Sequence, residues 1–231
     1  MTGVPQNVLS ETYLIKYGNN CGTCFRICID SKHYLITAKH NAQGIQNGDR
    51  VAIFYNNDWR FFNVTPIMCE NESVDIIALE TEESLKSQQS TLVPCEKDFY
   101  LGQDVFLVGF PERYLGLNLS NYCQVNNGYP IPFAKKCIIS SFGDKNGIQF
   151  LCLDTVANKG FSGGPVFRLV NDTCYVYGVI TKHLFDLEPV LDSEEKTQDY
   201  NARIYSGISY AHNIGPIIKA IKTLNYAASQ T

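Results

Sequence analysis

Positive charge is not in surplus in this sequence: 19 Lys and Arg stand against 23 Asp and Glu, a formal net charge of −4. A chain so balanced lacks the phosphate-neutralising patch of a nucleic-acid binder, which excludes nucleic acid as its main partner. Long apolar runs are missing too. Stretches such as Val105–Phe110 and Ile76–Leu79 fall far short of the roughly 20 residues of a membrane-crossing helix, so no membrane partner is expected. There is no internal repeat and no low-complexity tract, and 45% hydrophobic residues is too many for a disordered chain. The first residues, MTGVPQNVLSETYLIKYG, hold no basic stretch followed by an apolar one, the mark of a secretory signal. The 231 residues allow one large domain or two small ones sharing an interface.

The nine cysteines are Cys21, Cys24, Cys28, Cys69, Cys95, Cys123, Cys137, Cys152 and Cys174. An odd number leaves at least one thiol unpaired. With no export signal, this points to free thiols in a reducing, cytoplasmic setting. Cys21, Cys24 and Cys28 are close enough in sequence to raise a metal site. A structural zinc needs four ligands, however, and no second Cys or His pair at close spacing supplies the rest. Cys24 and Cys28 also fall in a strand-like stretch, CFRICID, where they serve as small buried apolar residues. No metal or organic cofactor is expected.

The body of the chain is a series of apolar runs, four to eight residues long and rich in Ile, Val, Phe and Tyr. Among them are Thr23–Ile29, Tyr34–Ala38, Arg50–Tyr55, Val74–Glu80, Val105–Phe110 and Tyr175–Thr181. Turn signals separate them: Asn47-Gly48-Asp49, Asn127-Gly128 and Asn146-Gly147. This pattern predicts an all-β sandwich or barrel. After Asn213 the period changes: Ile214, Ile217, Ile218, Ile221 and Leu224 share one helical face, and Pro216 suits a first helical turn. A C-terminal α-helix over 214–225 is expected. The polar segment Gln88–Gly102, with Pro94 inside it, reads as a linker between two β halves.

The chemistry is concentrated in three places. Gly160-Phe161-Ser162-Gly163-Gly164-Pro165-Val166 exposes a serine between glycines. A serine hydroxyl is a poor nucleophile and needs a base, open approach, and donors for the oxyanion its attack creates. Taken alone, the stretch is equally a Gly-rich hairpin turn. Tyr34–His40 is an apolar strand ending in histidine, and Val74–Leu79 an apolar strand opening with aspartate. Alone, each is an ordinary strand-end residue. Together, His40, Asp75 and Ser162 are a base, its orienting acid and a nucleophile.

These stretches resemble the chymotrypsin-like serine proteases, and more closely the high-temperature-requirement branch. Thr37–His40 is similar to the family's Thr-Ala-x-His segment, Asp75–Leu79 to its Asp-Ile-Ala-Leu strand, and Gly160–Pro165 to its Gly-x-Ser-Gly-Gly-Pro loop. Gly22–Phe25, Gly109–Pro111, Asp154, Asn158–Gly160 and Gly207–Ala211 add weaker matches, so the resemblance covers about residues 20 to 225. It implies two six-stranded antiparallel β-barrels with a C-terminal α-helix. The first, residues 1–95, would carry His40 and Asp75; the second, 96–231, would carry Ser162. It further implies a serine endopeptidase. Ser162 attacks the scissile carbonyl, His40 takes and returns the proton, and Asp75 fixes the imidazole tautomer. The amides of Gly160 and Ser162 form the oxyanion hole, and the Thr181 hydroxyl bonds Asp75. The substrate pocket is placed at Val156, Ile180, Thr181, Lys182 and His183. With Val156 and no acid at its base, a small or medium apolar P1 side chain is expected, with Lys182 or His183 leaving an acidic P1 open.

Three departures qualify the resemblance. Phe161 replaces the Asp that a new N-terminus engages in digestive relatives, so activation of that kind is not expected; its bulk also raises a twisted, inactive oxyanion loop. The peptide-binding domain usual after the protease part in that branch is not expected here, so targeting would come from elsewhere, and narrow specificity or a regulatory protein partner is expected beside the protein or peptide substrate. Residues 186–199 hold six acids and one Lys and read either as a solvated flexible loop or as a docking loop at the cleft rim. The competing readings are a catalytically silent protease-fold scaffold, an esterase and a polyprotein processor.

Overall fold

The computed structural model describes residues 3–55, 58–81, 92–112, 131–193 and 195–230. After a short helix α1 (Gln6–Ser10), six strands follow: β1 (Thr12–Tyr17), β2 (Asn20–Ile29), β3 (Lys32–Thr37), β4 (Arg50–Tyr55), β5 (Asp58–Met68) and β6 (Ile77–Thr81). They close into a barrel in the order β1-β2-β3-β6-β5-β4. The turns make the pairing local. Asp30 and Ser31, between β2 and β3, both have positive φ, at 50° and 64°, the backbone a two-residue hairpin loop needs to match strand twist. The barrel interior is filled by Ile15, Leu35, Ile53, Val64 and Leu79.

Seven further strands make the second half: β7 (Leu92–Pro94), β8 (Asp104–Gly109), β9 (Phe133–Lys145), β10 (Ile148–Asp154), β11 (Pro165–Val170), β12 (Thr173–Leu191) and β13 (Thr197–Asn213). Their order is β11-β8-β9-β10-β13-β12-β7, and β11 also pairs with β12. Six strands therefore close a second ring, and β7 is added to β12 in parallel, Cys174 opposite Leu92. Asn146 and Gly147, at φ 56° and 75°, form the β9–β10 turn that the Asn-Gly pair predicts; Asn127-Gly128 lies outside the described residues. Leu107, Ile139, Leu151, Phe161 and Val166 fill this half. A third apolar cluster joins the halves, with Phe25, Ile36 and Ile76 meeting Val108, Phe167 and Val176.

Three expectations change. Residues 88–91 of the expected linker lie outside the described residues, but Leu92–Pro94 is strand β7 and the Cys95 amide bonds Val176 O at 2.8 Å. The acidic stretch 186–199 is no flexible loop over its described residues. Most of it continues β12 and opens β13, paired from Phe185 opposite Tyr205 to Leu191 opposite Thr197. Charge and a proline are what protected edge strands carry, so the composition was misleading. The C-terminal helix α2 runs Gly215–Ala228, three residues past its expected end, with Ile217 and Ile221 fully buried.

Candidate active site

β3 ends at Thr37, and a single 3-10 turn, Lys39–Ala42, lifts His40 out of the barrel wall. Asp75 lies just before β6. The two meet through two bonds: His40 Nδ1 lies 2.7 Å from Asp75 Oδ2, and the His40 amide donates to Asp75 Oδ1 at 3.0 Å. A carboxylate only accepts, so Nδ1 carries the proton and Nε2 keeps its lone pair free. The side chains remain 44% and 30% exposed, so the pair is open to solvent. Lys39 N donates to Asp75 O at 3.2 Å. The Asp75 amide in turn donates to His212 Nδ1, on β13, at 3.0 Å. That bond places the His212 proton on Nε2. Burial, with the nearby Lys182 charge, holds His212 below the usual histidine range, while Asp75 pulls the other way.

Ser162 lies in the loop from β10 to β11. A turn closes Asn158–Phe161, the Phe161 amide donating to Asn158 O at 3.0 Å, with Gly160 at φ 97°. Only glycine sits easily there, and a Cβ would come within 2.1 Å of Phe110 O. The carbonyl of the Lys159–Gly160 peptide accepts the Glu112 amide at 2.7 Å. The N–H of a trans peptide points opposite to its carbonyl, so the Gly160 amide faces away from Glu112. Among the described residues, neither it nor the Ser162 amide has an acceptor. The Ser162 carbonyl is held by the first barrel, accepting Thr23 N at 2.9 Å and Asn41 Nδ2 at 2.8 Å. Asn41 adjoins His40, so one short turn reaches both Asp75 and the Ser162 loop. The Ser162 hydroxyl itself has no hydrogen-bond partner among the described residues.

Phe161 is completely buried in the second core, so its bulk is taken up inside the barrel. Lys135 Nζ sits 5.2 Å from its ring centroid and donates to Val156 O and to Asn158 Oδ1. Burial lowers the Lys135 pKa. Of the expected pocket residues, Ile180 and Thr181 are buried, Val156 and His183 half-buried, and Lys182 exposed. Ile180 abuts the Ser162 loop through Gly163 N to Ile180 O at 2.7 Å and Ile180 N to Gly164 O at 2.9 Å. His183 packs with Phe185 and Tyr205, at 4.7 and 5.2 Å between ring centroids. Thr181 does not bond Asp75: its hydroxyl is buried without a partner among the described residues.

Four residues escape the sequence reading. Thr23 Oγ1 donates to Gly160 O at 2.7 Å and accepts the Phe110 amide at 2.9 Å, tying the loop to β2. Asn41, Lys135 and His212 are the others. Only Thr23 carried a signal, its place in the Gly22–Phe25 resemblance. The eight described cysteines are all free. Among the described residues no His, Cys, Asp and Glu cluster can hold a metal, and no helix is long and apolar enough to cross a membrane.

Residues 22–179 match the trypsin-like peptidase domain. No curated protein matches the sequence. Among solved structures, the fold is similar to the Rv3671c protease of M. tuberculosis in its inactive form, with a TM-score of 0.59 and 17% identity, covering 94% of this chain and 90% of that one. A serine endoprotease from Yersinia pestis gives 0.58 and 18%, covering 96% and 68%. The HtrA-type protease AlgW with a tripeptide gives 0.57 and 16%, covering 95% and 62%, so this chain spans less than two thirds of that protein. The domain match covers well over half the sequence: the chain belongs to the trypsin-like peptidase family and has the chymotrypsin-like fold of the HtrA-type serine proteases.

Proposed function

We propose that this chain is an active serine endopeptidase, with Ser162 as nucleophile, His40 as general base and then acid, and Asp75 as the group that orients it. The observation that carries this reading is the doubly bonded His40–Asp75 pair beside a nucleophile loop whose Gly160 and Ser162 amides are unengaged. Nε2 of His40, left basic by the Nδ1–carboxylate contact, takes the Ser162 proton as Oγ attacks the scissile carbonyl. The two free amides receive the oxyanion, an interaction worth about 3–4 kcal/mol per donor in related sites. His40 then protonates the departing amine, and water repeats the sequence on the acyl-enzyme. The unbonded Ser162 hydroxyl fits a resting enzyme whose nucleophile–base contact tightens only with substrate bound. Narrow specificity, an apolar P1 preference beside Val156, and a reducing cytoplasmic setting complete the proposal.

A fluorophosphonate probe tests it. The wild-type protein is expected to become labelled at Ser162, and Ser162→Ala to remain unlabelled. A folded wild-type protein that no such probe labels, in the presence of peptides or partners alike, would establish the silent scaffold instead.

A further inference from the structure

β12 is 19 residues long, and only its first part is needed to close the second ring. On the edge facing the nucleophile loop it pairs with β11 from Thr173 to Val179 and touches Gly163 and Gly164 through Ile180. Beyond Ile180, among the described residues, only β13 pairs with it, on the other edge. The strand therefore leaves the cleft as one arm of a hairpin with a free side.

Pro189 fixes what that free side offers. It has no N–H, so its pairing with Asn201 belongs to the non-hydrogen-bonded class, in which the paired residues' backbone groups point away from each other. The register is unbroken from Phe185 to Pro189, so Phe185 and Leu187 share that class. Their N–H and C=O groups point to the open edge. The side chains of Phe185, Leu187 and Pro189 lie on one face, beside Tyr205 and Arg203 opposite them; the Phe185 and Tyr205 rings lie 4.7 Å apart and the Arg203 guanidinium 5.1 Å from the Phe185 ring. Leu187 is 67% exposed. Asp186 and Glu188 alternate with these residues and so lie on the opposite face. The arm thus presents unpaired backbone groups, an apolar row beside them, and a local excess of acids.

We propose that the free edge of β12 over Phe185–Pro189 is a docking strand for the substrate polypeptide on the acyl side of the scissile bond, selecting extended, apolar, non-acidic segments. The direction rests on the catalytic reading above. His40 protonates the leaving amine, so the leaving half of the substrate lies toward the first barrel, which carries His40. The acyl half stays toward Ile180 and continues along the same strand. Strand addition supplies main-chain hydrogen bonds, and Phe185 and Leu187 select alternate side chains. The acids on the arm disfavour an acidic segment. The arm adds a second selection beyond the pocket, several residues from the reacting bond.

The test uses peptides identical around the scissile bond. One carries an apolar six-residue extension on the acyl side, one a Gly/Ser extension, and one the apolar extension with alternate backbone amides N-methylated. The apolar extension is expected to raise kcat/KM by about ten-fold, the effect of burying one apolar side chain. The other two are expected to gain little. Leu187→Asp is expected to remove the gain and leave the short peptide unaffected. Equal kcat/KM for all peptides would overturn the proposal. So would a Leu187→Asp protein that keeps the gain but changes from dimer to monomer, since a second copy would then be the occupant. Fluorescence anisotropy of the apolar peptide on Ser162→Ala separates this proposal from the catalytic one. Binding that Leu187→Asp abolishes, with no turnover by wild type, would leave docking standing and remove the catalytic reading; turnover indifferent to the extension would do the reverse.

Discussion

Thr23 performs no chemistry, yet its hydroxyl spans Gly160 O and Phe110 N inside the protein. Thr23→Val keeps the shape and leaves a buried carbonyl and a buried amide unpaired, each costing about 1–3 kcal/mol. The expected outcome is a lower urea midpoint and a fall in kcat larger than any change in KM, because the displaced group carries the proposed oxyanion loop; Thr23→Ser should recover both. His212 acts on the other side of the site. His212→Phe removes the acceptor for the Asp75 amide and is expected to lower kcat by about ten-fold, with His212→Asn restoring most of it. Protonated His212 cannot accept that bond. Activity of the wild type should therefore fall in acid more steeply than that of His212→Asn, measured as kcat/KM between pH 5 and 8. His40, Asp75 and Ser162 were legible because each stands at the end of an apolar strand or between glycines, a local pattern. His212 was not, because it acts on a partner 137 residues away, and no local pattern records such a contact; Thr23 was marked by its place in the Gly22–Phe25 stretch, but its bond to Gly160, equally distant in sequence, was not.

At the scale of elements, the first barrel is joined to the segment before it by a charge pair in the core. Arg26 on β2 is 1% exposed, with Nε 2.6 Å and Nη2 2.9 Å from the two Glu11 oxygens. Two charges buried together are tolerated; one alone is not. Glu11→Ala is therefore expected to destabilise the protein by about 3–5 kcal/mol in chemical denaturation. Glu11→Leu combined with Arg26→Met should be far milder than Glu11→Ala alone. An equal loss in the two proteins would show that the pair contributes more than relief of each other's burial. The sequence marks neither residue, since Arg26 sits in an apolar strand with nothing nearby to pair with. The strands themselves were legible wherever alternation or an Asn-Gly turn set them. The β12–β13 arm was not, because its apolar residues Phe185 and Leu187 alternate with acids and run into a proline, a composition that reads as a solvated loop although a two-stranded arm with solvent on both faces tolerates it.

The whole molecule links these scales through protonation. His33, His183 and His212 all lie below the ordinary histidine value, each chiefly because burial disfavours the cation, with Arg26 adding to the effect at His33 and Lys182 at His212. In the unfolded chain they return to about 6.5. Below that value the unfolded state binds protons that the folded state refuses, so stability rises with pH through this window and falls as the solution is acidified. The thermal midpoint is expected to be level above about pH 7 and to drop progressively as pH falls from 6.5 through the depressed folded values. Asp49 contributes in a separate window: its hydrogen bond from Tyr17 lowers its pKa, so its share is lost only below about pH 4. Melting curves at pH 8, 7, 6 and 5 resolve the histidine window alone. His33→Asn or His183→Asn should each flatten part of the fall, and a midpoint constant across this range would contradict the burial-driven origin of all three shifts. His212 belongs to both fold and site. The pH at which its stability cost levels off, where the folded imidazole itself takes a proton, should therefore coincide with the pH at which the acid limb of kcat/KM separates wild type from His212→Asn, so two independent measurements converge on one imidazole.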